Sequence, residues 1–173
     1  RIVIFVRSQA SMIAACYAQY VRGGGTHSLD RYLFPEKYHW GAQAKRFKIP
    51  RFSFDHFEYD RLISIYEAQF GRSNVQVYAY ESMQQPADVL SGMSEDLGIG
   101  FDWDRLSFRR RNLSWNESLI PVARLMNRFT ARTVEDKRFI LHLPGWYVVR
   151  SAILQGLAWS MASRGTSFRL PER

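Results

Sequence analysis

The spacing of apolar positions changes several times along the chain, and each change marks a predicted element. Residues 1–6 (RIVIFV) are an almost unbroken apolar run rich in β-branched side chains. That pattern predicts a strand covered on both faces, as in a parallel sheet. Beyond Arg7 the period becomes helical: Met12, Ile13, Cys16, Tyr17, Tyr20 and Val21 fall on one side, Ser8 is placed to cap the start, and glycines 23–25 end it. Residues 26–34 suggest a short helix and 35–55 a basic, aromatic loop. A second helix follows, with Tyr59, Leu62, Ile63, Tyr66 and Phe70 on one face and Gly71 as its stop. The segment NVQVYAYE then alternates, Val75, Val77 and Ala79 opposing Tyr78 and Tyr80, which predicts a second strand. Pro86 opens a helix through Val89, Leu90, Met93 and Leu97 that Gly98 closes. Helices are also predicted near 117–130 and over 145–163, the last with Trp146, Val149, Ile153, Leu157 and Met161 facing inward. Strands alternating with helices predict an α/β fold in one domain over 1–173, an open, mainly parallel sheet flanked by helices.

Composition narrows the function classes. The chain has 173 residues, 46% hydrophobic and 23% charged, which suits a globular domain and argues against disorder. Its formal charge of +8 points to an anionic partner, whether nucleotide, nucleic acid, acidic lipid or acidic polysaccharide. The single cysteine, Cys16, forms no intrachain disulfide, and its apolar helical face suits a small core residue. No apolar run is long enough to cross a bilayer, and RIVIFV is too short for a signal core, so a cytoplasmic protein is expected. A strand entered directly at Arg1 suggests a piece of a longer protein. His27, His39, His56 and His142 lack metal-ligand spacing, and no G-x-S-x-G elbow occurs. The run Gly23-Gly24-Gly25 follows a helix, so it reads as a stop and turn instead of a phosphate loop.

The position with most chemical promise is Arg7. In an open parallel sheet, ligands gather beyond the carboxyl ends of the strands. Arg7 stands at such an end, and the residues after it open a helix whose free N–H groups favour an anion. A guanidinium fork matches phosphate oxygens. The alternative is that Arg7 caps the strand or pairs with a carboxylate.

At this point the residues resemble a family. IVIFVRSQASMIAACYAQYVRGG is similar to the 3′-phosphate-binding segment of sulfotransferases, which use 3′-phosphoadenosine 5′-phosphosulfate (PAPS) as sulfuryl donor. FDHFEYDRLISIYEAQFGRSNVQVYAYESMQQPADVLSGMSEDLGI follows the family's order of helix, glycine turn, strand ending in Tyr-Glu, and helix opening near a proline. RRNLSWNESLIPVARLMNRF resembles the next loop and helix of bacterial carbohydrate-type members. The likeness covers about residues 1–130 and implies a P-loop-like sulfotransferase fold, PAPS as donor, no metal, and a hydroxylated, possibly saccharide, acceptor, as in polysaccharide biosynthesis. It implies that Arg7 grips the 3′-phosphate and that Tyr80 lies near the adenine, where an ordinary strand aromatic is the other reading. Arg109, Arg110 and Arg111 would add phosphate contacts or form a solvated charge run.

Two departures shape the expectation. Ala15 stands where the family usually has a serine, so Ser8 or Ser11 is expected to supply that phosphate hydrogen bond. The glycine-rich loop with lysine that cradles the phosphosulfate precedes this strand in the family and is absent from the sequence; the chain also ends at LPER, where many relatives continue. The general base is unassigned, with His56 and Glu58 as candidates beside capping or surface roles, and the family places it near the upstream loop. Segment 34–57, with Trp40 and Lys45, suits a sugar groove. A nucleic-acid-binding module competes, on the basic balance and interleaved aromatics, but no recognised binding motif accompanies them. A P-loop kinase of similar topology is the third reading.

Overall fold

The computed structural model describes residues 1–34, 37, 52–102, 105, 115, 117–129 and 140–161. The fold is mixed α/β, with a small two-stranded parallel sheet and mostly helices. The chain divides into two compact units, one of residues 1–9 and 54–112, the other of residues 10–53 and 113–173.

The first unit holds the sheet. Strand β1 (Ile2–Val6) pairs in parallel with β2 (Val75–Ala79), Phe5 opposite Tyr78 and Val6 opposite Ala79. Residues opposed in a parallel pair project the same way, and the rings of Phe5 and Tyr78 meet at 5.7 Å. Helix α3 (Tyr59–Phe70) packs on both strands, with Tyr59, Ile63 and Tyr66 half-buried. Gly71, at φ 82°, ends it in a conformation that favours glycine. Helix α4 (Pro86–Leu97) has Pro86 at its start, Asp88 in its first turn, where a carboxylate complements the dipole, and left-handed Gly98 at its end. The Tyr78 hydroxyl ties β2 to α4 by donating to Asp96 at 2.7 Å, a bond that pushes the phenol up to about 12.

Two expectations about this unit need correction. Strand β1 is not covered on both faces: Ile2, Ile4 and Val6 are half-buried, whereas Val3 and Phe5 are exposed. Among the described residues the sheet has two strands, so little covers the second face. On α3, Leu62 and Phe70 share the predicted face yet are exposed, Leu62 at the edge of that face and Phe70 at the helix's last residue.

The second unit is helical. Helix α1 (Gln9–Arg22) begins at the last residue of the first unit and buries Ile13, Ala14, Tyr17 and Val21; of the predicted face Cys16 and Tyr20 are half-buried and Met12 is exposed. Tyr17 and Val21 pack with Trp115, with Leu119, Ile120 and Ala123 of α5 (Leu119–Met126), and with Leu154 of α6 (Trp146–Met161). A short helix, α2 (Leu29–Leu33), is capped by Ser28, whose hydroxyl accepts from the Arg31 amide. A 3₁₀ turn (Asn127–Phe129) extends α5 over most of the predicted 117–130 span.

Helix α6 corrects the sequence reading most clearly. Val149, Ile153 and Leu157, expected inward, are exposed, while Arg150 and Leu154 are buried and Tyr147, Ser151 and Ala158 half-buried. Trp146 is half-buried and donates to the Met126 carbonyl at 2.8 Å. The side chain of Met161 lies outside the described residues. The helix is apolar almost all round, so apolar spacing could not select its buried face. Polar partners select it instead. Arg150 donates to the carbonyls of Arg22 and Val21, each at 2.9 Å, and Asn127 donates to those of Val21 and Gly25 at 2.9 and 2.6 Å. Together they cap the end of α1, whose last carbonyls have no partner within the helix.

Candidate anion-binding site at the ends of the parallel strands

Because β1 and β2 run in parallel and in register, their carboxyl ends finish side by side, at Val6 and Ala79. Arg7 and Tyr80 are the next residues of each. The alternation places Tyr80 within the strand, but β2 ends at Ala79, because the chain turns there into a 3₁₀ segment (Tyr80–Gln84). The half-buried Arg7 guanidinium lies over the Tyr80 ring, 5.3 Å from its centroid. This cation–π contact sets the plane of the guanidinium fork.

The next residue of each strand also meets its counterpart. The exposed Ser8 backbone N–H donates to Glu81 Oε1 at 2.9 Å. The strand ends thus place a guanidinium over an aromatic ring, with a carboxylate at the adjoining amide. Gln9 continues the pattern by donating from Nε2 to the Phe57 carbonyl at 2.7 Å. That bond ties the turn after β1 to the 3₁₀ segment Phe54–Phe57, which carries His56.

The remaining predicted residues divide. His56 is exposed on that segment, and Glu58 precedes α3 without capping it, its carboxylate lying 3.9 Å from Arg61. Ser11 is in the first turn of α1, in the second unit. Arg109, Arg110 and Arg111 lie outside the described residues, as do His39, Trp40 and Lys45.

Sequence reasoning missed Glu81 as a partner of the Ser8 amide and Gln9 as a brace. The signal for Glu81 was its place directly after Tyr80, the residue that follows β2. For Gln9 there was none, since its acceptor is a backbone carbonyl 48 residues away. Among the described residues no group of three or more His, Cys, Asp or Glu is placed to hold a metal ion, and no helix is long and apolar enough to cross a membrane. Neither family models, nor curated proteins, nor solved structures give a match to this chain.

Proposed function

We propose that this chain is part of a PAPS-dependent sulfotransferase of P-loop-like α/β fold that acts on a hydroxylated, possibly saccharide, acceptor. The observation that carries the reading is the stacking of Arg7 on Tyr80 where two parallel strands end together. Such an end is where open α/β sheets bind ligands. Arg7 supplies the cation for a 3′-phosphate, Tyr80 an aromatic surface beside it, and the Ser8 backbone N–H an amide donor next to them in the chain. The net charge of +8 favours the same class of partner.

In the reaction, the acceptor oxygen attacks sulfur in line while the bond from sulfur to the 5′-phosphate oxygen breaks. The acceptor proton passes to a base, and adenosine 3′,5′-bisphosphate departs. Positioning and cationic stabilisation of the growing charge carry most of the rate, as in phosphoryl transfer. The role of Arg7 in this scheme is to bind and orient the donor. His56, on the segment braced by Gln9, and Glu58 beside it stay the candidates for the base within this chain.

Equilibrium binding of adenosine 3′,5′-bisphosphate tests the reading against 5′-AMP, ATP and single-stranded oligonucleotide. The bisphosphate should bind best, and Arg7→Ala should weaken it roughly 10- to 100-fold, the loss expected for a charged hydrogen-bonding partner. Equal affinity for 5′-AMP, preference for ATP, or salt-sensitive oligonucleotide binding that the bisphosphate does not displace would overturn it.

A further inference from the structure

One contact at the strand ends has a chemical consequence beyond holding a turn. The Ser8 amide gives its hydrogen bond to Glu81 Oε1 at 2.9 Å, next to the Arg7 guanidinium on the Tyr80 ring. A carboxylate oxygen and a phosphate oxygen accept from an N–H in much the same way, and a single N–H serves one of them well at a time. We infer that Glu81 is an internal competitor for the anion seat, holding the Ser8 amide that an incoming phosphate needs and giving it up when that phosphate binds. The inference rests on the reading of Arg7 as a phosphate-binding residue.

Two features favour the exchange. Glu81 is exposed, so its carboxylate can turn into water without losing a buried environment. It also follows Tyr80 in the 3₁₀ segment, so its side chain can move while the Tyr80 ring stays under Arg7. Like charge adds to the competition, because a phosphate entering beside an ionised Glu81 meets repulsion as well as an occupied donor. Glu81 therefore sets the affinity of the seat without being part of what grips the ligand.

The test uses adenosine 3′,5′-bisphosphate as probe with the full chain and its Glu81→Gln variant. Glutamine keeps an oxygen for the Ser8 amide and removes the charge, so the turn stays braced while the competition weakens. Binding should tighten about fivefold, the effect of removing one like charge a few ångströms away in a well-hydrated setting. A merely structural Glu81 yields unchanged or weaker binding in the variant. In the unsubstituted chain, the Ser8 amide resonance should move as the probe saturates, since its acceptor changes from carboxylate to phosphate. Unchanged or weaker binding by Glu81→Gln, or a Ser8 resonance that does not move at saturation, overturns the inference and leaves the proposed function standing. If neither chain binds the probe, both fall. The resonance in the unsubstituted chain decides the matter even if the variant fails to fold.

Discussion

Arg150 donates through both terminal guanidinium nitrogens to the carbonyls of Arg22 and Val21, so a cation on α6 closes the end of α1 from 128 and 129 residues away. The side chain is 1% exposed. Its guanidinium lies 5.9 Å from the Trp115 ring and 5.6 Å from that of Tyr147, and Arg22 approaches Trp115 at 5.0 Å. Burial pulls Arg150 below its ordinary pKa, Tyr147 opposes that shift, and the Arg22 cation adds to it. A positive charge at a helix's carboxyl end interacts favourably with the dipole, and here it also satisfies carbonyls buried in the core.

Removing that side chain should therefore cost more than its volume. Arg150→Ala is expected to destabilise the chain by about 3–4 kcal/mol, from two charge-assisted hydrogen bonds and the space left behind. Arg150→Met fills most of the space without donors, so the difference between the two variants in urea unfolding separates packing from capping. Equal stability of Arg150→Met and the unsubstituted chain would show that the cap contributes nothing.

The turn after α1 depends on close approach between Tyr20 and Gly25. The Tyr20 hydroxyl accepts from the amides of Thr26 and His27 at 3.2 and 3.1 Å, both of them buried residues. A Cβ on Gly25 would fall 2.3 Å from the Tyr20 ring. Tyr20→Phe, which removes the acceptor both amides use, should cost about 1–3 kcal/mol. Gly25→Ala should cost a comparable amount through overpacking, about 1–3 kcal/mol. The double variant Gly25→Ala, Tyr20→Ala should lose less than the sum of its single variants, because truncating the ring removes the clash. Strict additivity in thermal unfolding would contradict the geometry.

Alkaline pH should loosen the helical unit. Burial pushes the Tyr32 phenol up to about 12, helped by the Cys16 thiol and Tyr20, and burial also raises Tyr17 against the opposing effect of Arg124. Unfolding exposes both phenols, which then ionise near their ordinary value of about 10. The folded state binds more protons than the unfolded one in this window, so stability is fully present below pH 10 and declines between pH 10 and 12. Tyr32→Phe should flatten that decline, and spectrophotometric titration should show phenols that ionise late in the folded chain. A pH-independent unfolding free energy across the window would exclude the linkage.

The sequence made some of these elements legible because their causes are local. The start of α4 at Pro86, its end at Gly98, the stop of α3 at Gly71 and the burial of Ile13, Tyr17 and Val21 on α1 all follow from a residue's own backbone preference or from spacing within one helix. At the candidate site, Arg7 and Tyr80 were legible as strand-end residues. Their stacking was not, because it depends on the register that sets Val6 opposite Ala79. Glu81 and Gln9 act through backbone groups of Ser8 and Phe57, and every residue type but proline presents both groups alike.

By itself, then, the sequence determined where the chain is strand, helix or turn, since β-branching, helical periodicity, proline and glycine act within a few residues of themselves. It also determined the charge that favours an anionic partner. The tertiary structure decided which side of each element is buried and which polar groups meet. On α6 the apolar surface was nearly uniform, and the need to satisfy the carbonyls of Val21 and Arg22 turned Arg150 inward and Val149, Ile153 and Leu157 outward. Hydrogen bonds are directional and must be satisfied when buried, whereas apolar contact is neither, so long-range polar pairing chose the face that hydrophobicity left open.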